Sequence, residues 1–321
     1  MLRRLRRALR RRAFEQKLSA LPALLEGERA AEAESEAEAA LVIGEEVFGA
    51  EAAELTTPLY VMAAARLSAG RTDDALAACT RAIRIAEALA GAPTEPRLPK
   101  LYELAAAIHE RAGTFDETIR LYRRLLAGYE RMRTPDEAAI ADVAGRLGLL
   151  LGKQKQAAEA ELLLGRALSI TERVHGARSR PSAEVLYNLG TVLAAAGRRD
   201  DAARSLRRAI GILGEHAPRP ALLGAAQHNL ATVLEAEGRA EEAEAMYREA
   251  LATYEASTDH EHADVRPTLV RLGHLLVAKG RAGEARPFYE RAYALAARDF
   301  GVDHSITAGI RAFLDATAPA P

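Results

Sequence analysis

Small apolar residues recur along this chain at a nearly constant interval. Ala33, Ala75, Thr118, Ala160, Ala202, Ala243 and Ala285 are separated by 42, 43, 42, 42, 41 and 42 residues. Seven residues after each comes a second small or aliphatic position: Ala40, Ala82, Leu125, Ala167, Ala209, Ala250 and Ala292. Twelve residues before lie Ala63, Ala106, Gly148, Gly190, Ala231 and Gly273, preceded by Met62, Ala105, Leu147, Leu189, Leu230 and Leu272. Small residues on facing helices let two backbones approach, and adjacent larger side chains fill the flanking gaps. The phrase NLGTVLAAAGRRDDAARSLRRAI from Asn188 is nearly rewritten from Asn229 as NLATVLEAEGRAEEAEAMYREAL. A period of this length is the mark of a solenoid.

Punctuation follows the same interval. Five residues before the small position stand Gly70, Gly113, Gly197, Gly238 and Gly280, with Lys155 in the fourth unit. Glycine enters the left-handed conformation that commonly ends a helix, so each unit reads as helix, tight turn, helix. Asp73, Asp116 and Asp200 are N-cap candidates for the second helices. The Lys155 turn is expected to be looser. First helices are predicted near 14–26, 57–69, 98–112, 138–152, 182–196, 221–237 and 264–279. Second helices are predicted near 30–48, 73–90, 116–132, 157–174, 200–214, 241–256 and 283–299. A last helix near 304–315 would cover the apolar face left open by the final pair. Leu21 followed by Pro22 weakens the case for the first helix of the first unit. Pro287 falls in the first turns of its helix, where a missing N–H costs little. GAPTEPRLP at 91–99 is the longest turn-rich break.

Composition agrees with an all-α chain. Hydrophobic residues make up 49%, aromatics only 5%, and there is no Trp. Ala, Leu, Glu and Arg are good helix formers, whereas strands favour β-branched and aromatic residues. Arg outnumbers Lys 39 to 5, which we read as a GC-rich bacterial genome. One cysteine excludes an internal disulfide and fits a reducing, cytoplasmic setting. No apolar run approaches the roughly 20 residues that span a bilayer, and the basic start has no apolar stretch after it as a secretory signal would.

The pattern of Leu–Gly/Ala, then Gly, then Ala, an aromatic and Ala resembles the tetratricopeptide repeat. The aromatic column holds Tyr122, Tyr247 and Tyr289, with Cys79, Leu164 and Leu206 elsewhere. The longer period resembles the kinesin light chain variety, whose linker carries a histidine ten residues before the core Leu. His262 stands ten before Leu272 and His304 ten before Leu314. Gly176 after VH, and the FG pairs at 48–49 and 300–301, match the glycine ending such repeats. HEAT repeats share the period but lack the glycine-and-alanine signature. The resemblance covers residues 14–315 and implies an α-α superhelix, a right-handed solenoid of about seven helix pairs with a C-terminal capping helix. Residues 1–13 form a basic arm ahead of this single domain, and 316–321 a flexible tail.

The resemblance also implies a function: a non-enzymatic scaffold that binds an extended segment of a partner protein in its concave groove. First helices line that side, and the residue before the core Leu is Arg146, Asn188, Asn229 and Arg271 in four successive units. An Asn amide offers both a donor and an acceptor to a peptide unit, and flanking Arg can hold carboxylates. Tyr187, Thr191, His228, Thr232 and His274 share the same face. The Asn side chains could equally serve only to bond neighbouring helices. Lysines of the chaperone-tail carboxylate clamp are absent, so that specificity is not expected.

The arm MLRRLRRALRRR carries Arg3, Arg4, Arg6, Arg7, Arg10, Arg11 and Arg12 without an acid, leaving 37 basic and 45 acidic residues in the remainder. Leu2, Leu5 and Leu9 fall along one helical face. Such a segment can lie on an anionic membrane or neutralise nucleic-acid phosphates. It could also rest on the acidic run ERAAEAESEAE at 28–38, or reflect a misplaced start. An alternative function is a bacterial signalling regulator that uses this arm while the groove senses a peptide, and self-association through the terminal units is compatible with either. DHEHAD at 259–264 has metal-like composition, but His262 reads better as the linker histidine at a helix start. Cys79 occupies an aromatic position and reads as core. No G-x-S-x-G, phosphate-binding glycine loop or H-E-x-x-H occurs, so neither catalysis nor a cofactor is expected.

Overall fold

The computed structural model describes residues 2–27, 29–89, 98–132, 134–215, 220–256 and 265–317. The DHEHAD segment with His262, and most of the 91–99 break, lie outside them. The described residues form fifteen α-helices and one short 3-10 turn, Ala53–Leu55, with no strand. The chain divides into two compact units, 1–150 and 151–321.

The first unit holds α1 (Leu2–Glu26), α2 (Ala30–Phe48), α3 (Thr56–Ser68), α4 (Thr72–Leu89), α5 (Leu98–Arg111), α6 (Phe115–Glu130) and most of α7 (Glu137–Lys153). The second holds α8 (Ala157–His175), α9 (Arg180–Ala195), α10 (Arg199–Glu215), α11 (Pro220–Ala236), α12 (Ala240–Glu255), α13 (Val265–Ala278), α14 (Ala282–Phe300) and α15 (Ser305–Ala316). Consecutive helices pack on one another from α1 to α6 in the first unit and from α8 to α15 in the second. This is the all-α helix-pair repeat fold expected from the periodicity.

The small positions are where the helices meet. All seven residues from Ala33 to Ala285 are 0% exposed, and the positions seven residues on are equally sealed, at no more than 1%. The glycines opposite allow an approach that no other residue could. A Cβ on Gly273 would lie 2.6 Å from Tyr289 Cε1, and one on Gly190 would lie 2.7 Å from Leu206 Cγ. Tyr247, Tyr254 and Tyr289 are among the largest fully buried side chains. Cys79 is sealed in the same way, and burial pushes its thiol up to about 12, so it is core.

Among the described residues one turn is built six times. At Gly238 (φ 77°) the glycine N–H donates to Glu235 O, and the next residue, Arg239, donates to Leu234 O, both at 3.0 Å. That pairing satisfies the last carbonyls of the first helix. The Lys155 turn is no looser. Lys155 itself adopts φ 61°, and Lys155 and Gln156 make the equivalent bonds to Gly152 O and Leu151 O. A non-glycine residue held in this conformation costs about 1–2 kcal/mol.

Three further expectations are corrected. The residue after the turn glycine is itself the cap, as with Thr114 before α6 and Arg239 before α12. Asp73, Asp116 and Asp200 therefore sit at the second helical position, where they oppose the positive end of the helix dipole without capping. Pro22 does not break α1, which runs unbroken to Glu26 with Leu21 fully buried. Finally, the basic arm is the front of α1, and it lies against the far end of α2 instead of the run at 28–38. Arg7 Nη2 donates to Val47 O at 2.8 Å, and Arg10 pairs with Glu46. These contacts place cations at the negative end of the α2 dipole.

Second helices are tied to one another by ion pairs 36 or 37 residues apart. Glu34–Arg71, Glu161–Arg198 and Glu244–Arg281 form one series. Glu45–Arg81, Glu87–Arg124, Glu172–Arg208 and Glu255–Arg291 form another. Most are exposed, and such pairs contribute little, about 0–1 kcal/mol each. Glu244 differs. Its side chain is 12% exposed and accepts from Lys279 at 2.8 Å, Arg281 at 2.7 Å and Arg248 at 3.0 Å. Burial alone would raise this carboxyl; the hydrogen bonds from Lys279, Arg281 and Arg248 outweigh it and hold the group at about 2.

Two outcomes are expected. Gly273→Ala should destabilise the fold by about 1–3 kcal/mol through the clash with Tyr289. Gly165→Ala, in a helix with nothing within 4 Å of the added methyl, should stabilise it by about 0.5–1 kcal/mol; urea unfolding of both variants checks the opposite signs. The depressed Glu244 value means its stabilisation is complete above the ordinary carboxylate value of 4.5 and disappears as pH falls toward 2. Glu244→Gln should therefore lower the urea midpoint at neutral pH, and the difference from the parent should close on acidification.

Candidate peptide-binding face

In the second unit the first helices lie side by side, and their polar residues cross-link them. Asn188 and Thr191 are one turn apart on α9, Asn229 and Thr232 on α11, and Arg271 and His274 on α13, so each pair shares a helix face. Asn229 Nδ2 donates to Thr191 Oγ1 at 2.9 Å, joining α11 to α9. His228 Nδ1 lies 2.9 Å from Thr268 Oγ1, joining α11 to α13. Tyr187, Asn188, Thr191, His228, Asn229, Thr232 and His274 are all half-buried, and Arg271 is exposed. The two amides are thus neither sealed in the packing nor standing free in water.

The amides differ in what they already do. Asn229 spends its NH2 group on Thr191, as a helix-bonding role requires. Asn188 has no hydrogen-bond partner among the described residues, so its donor and acceptor both remain open. The hydroxyls are partly committed: Thr191 Oγ1 donates to Tyr187 O at 2.9 Å, and Thr232 Oγ1 lies 3.1 Å from both His228 O and the Tyr247 hydroxyl.

The arginines are engaged within their own chain. Arg271 approaches Glu235 at 3.8 Å. Glu235 in turn accepts from the Tyr247 hydroxyl at 2.8 Å. Arg146 belongs to the first unit, where it pairs with Asp142 at 2.9 Å. There Tyr122 donates to Glu110 at 2.9 Å, and burial, reinforced by Glu110, pushes the Tyr122 phenol up to about 12. A carboxylate arriving at either arginine would compete with these acids.

His274 is closed off at one end. The ring lies edge-on to Phe313 at 4.5 Å and tilted against Tyr289 at 5.8 Å, and its Nε2 is buried without a hydrogen-bond partner. Burial and the neighbouring Arg271 lower its pKa, which keeps the ring neutral. Sequence reasoning did not pick out Glu235, Tyr247 as a hydrogen-bond donor, Thr268 or Phe313. A signal existed: Tyr122 follows Glu110 by 12 residues, as Tyr247 follows Glu235. His304, the matching linker histidine, caps α15 by accepting from the Ile306 N–H at 3.2 Å.

Comparison with known proteins agrees with this architecture. Residues 137–215 and 222–298 match the tetratricopeptide repeat family. The chain is a tetratricopeptide-repeat protein. No curated protein sequence matches it significantly. Among solved structures, apo RapI aligns over 93% of this chain and 80% of its own, with a TM-score of 0.69 and 15% identity. BtubC (BKLC) from P. vanneervenii aligns over 78% of this chain and 94% of its own, with a TM-score of 0.57 and 21% identity. A Rap protein complexed with Competence and Sporulation Factor aligns over 95% and 87%, with a TM-score of 0.56 and 16% identity. At these identities the likeness is one of fold. No helix among the described residues is long and apolar enough to cross a membrane.

The cross-link predicts a stability difference between the two amides. Asn229→Ala should cost about 0.5–1.5 kcal/mol through the lost bond to Thr191. Asn188→Ala should stay within about 0.5 kcal/mol of the parent. Guanidinium unfolding of the two variants measures both.

Proposed function

We propose that this protein is a non-enzymatic interaction scaffold whose first-helix face in the second unit takes up an extended segment of a partner protein. The observation that carries the reading is Asn188: a half-buried amide on the same helix face as Thr191, with neither its donor nor its acceptor used among the described residues. An extended peptide presents an N–H and a C=O at each residue, and one carboxamide answers both. The Asn229 side-chain carbonyl, left over from the bond to Thr191, supplies a further acceptor one hairpin along. Half-burial strengthens such hydrogen bonds by limiting competition from water.

The chemistry of the two faces favours the same side. Second helices direct their long charged residues at one another in the inter-repeat ladder. First helices instead offer hydroxyls, amides and rings at short spacing, a surface suited to main-chain recognition. The Rap protein solved with Competence and Sporulation Factor gives a similarly folded chain with a bound partner, and that supports the reading.

Peptides selected from a random display library on the purified protein provide the test. Asn188→Ala should weaken their binding about tenfold, the loss of roughly one buried hydrogen bond, with its unfolding midpoint unchanged. Leu162→Ser, on α8 where the side chain is 73% exposed, should bind as the parent does. Selected peptides that ignore Asn188→Ala but lose affinity for Leu162→Ser would move binding to the second-helix face and sink the reading.

A further inference from the structure

The arm is distinguished by its geometry as much as by its charge. Among the described side chains Phe14 is the first to be fully buried, and it packs edge-on against Phe48 at 5.3 Å. The described side chains of α1 ahead of it are exposed or half-buried. At 25 residues α1 is the longest of the described helices, and its excess length is the arm.

Its faces are sorted. Arg7 and Arg10 share the face of Phe14, at positions i, i+3 and i+7, and both reach the C-terminal end of α2. Arg11, one turn from Arg7, pairs with Glu15 and lies over the Phe48 ring, 5.8 Å from its centroid. At about 100° per residue, Leu5 and Leu9, each two residues from Arg7, fall on the opposite side. Both are 59% exposed. Arg6 and Arg12 flank that leucine stripe, and Arg4, Arg6 and Arg12 are exposed without a partner among the described residues. Docking on α2 thus uses one arginine face and holds an apolar stripe edged by unpaired cations away from the protein.

We propose that residues 2–12 lie in the interface of an anionic lipid bilayer, with Leu5 and Leu9 below the headgroups and Arg4, Arg6 and Arg12 among them. Charge and apolarity are needed together, and a bilayer answers both. Nucleic-acid phosphates would satisfy the arginines but leave the leucines in water, and the arm has no aromatic ring to stack on a base. Basic side chains beside an anionic leaflet and apolar side chains at the acyl boundary act cooperatively in such helices. Outside the arm the chain carries 45 acidic residues against 37 basic ones. The remainder is therefore repelled by the same surface, and contact falls to the arm.

The chain has no Trp, so Leu9→Trp introduces a sole indole reporter at the stripe. Its emission should shift to the blue with vesicles of phosphatidylcholine and phosphatidylglycerol, and stay unchanged with phosphatidylcholine alone. Co-sedimentation of the parent with the mixed vesicles should weaken as salt is raised. It should fall at least about tenfold in the Leu5→Glu/Leu9→Glu double variant, whose unfolding midpoint should match the parent because neither leucine is packed. Absence of vesicle binding, or an unshifted indole in bound protein, would overturn the proposal. So would equal vesicle binding by the double variant, or binding to duplex DNA alone that the glutamates leave intact.

Discussion

Close contact between helix backbones is the constraint from which the rest of the structure follows. At seven positions from Ala33 to Ala285 a small side chain is wholly enclosed, and at Gly190 and Gly273 on facing helices even a methyl group has no room. Helices brought so near are fixed in their crossing and offset, because the surrounding Leu and Tyr side chains can fill the remaining space in one way. The turn between them must then be short. A short turn after a helix requires a residue in the left-handed conformation, and even Lys155 adopts it.

Packing through small residues leaves the long side chains to the two faces, and the faces diverge. Along the second helices, Glu and Arg meet partners one repeat away, and at Glu244 three cations converge on a single carboxylate. That face is largely occupied by its own charges. Along α9, α11 and α13 the cross-links are fewer and mainly neutral, running through Thr191, Asn229, His228 and Thr268, with Arg271 and Glu235 as an ionic one. On the proposed reading, binding capacity resides where the chain has not already satisfied itself. A scaffold of this kind can change its partner by altering the first-helix face without disturbing either the small-residue contacts or the ladder.

The helices, their order and the glycine turns were legible because each depends on residues close in sequence and repeated many times. The N-caps were misplaced by two residues, since the turn bond to Arg239 N–H and its equivalents assigns the cap to the residue after glycine. Pro22 looked like a break, yet the buried Leu21 beside it holds α1 together through tertiary packing. The ion-pair ladder was invisible in short windows. Glu161 and Arg198 are 37 residues apart, and nothing local distinguishes them from the many Glu–Arg pairs on solvated helices. The arm's composition was plain, but which of its faces docks depends on where α2 ends, and that is tertiary information.

The unequal state of Asn188 and Asn229 shows how one repeat column can hold residues in different bonding states while keeping its pattern. Both occupy one column, and the column alone gives them one role. What separates them is a partner on the neighbouring first helix. Asn229 donates its amide to Thr191, whereas Asn188 has no hydrogen-bond partner among the described residues. A half-buried polar group without an internal partner gains more from a ligand than one already bonded, because its desolvation is largely complete before the ligand arrives. On the proposed reading, binding strength along the face would be set by the neighbours of each column residue, and replacing Thr191 would free the Asn229 amide without touching the asparagines themselves.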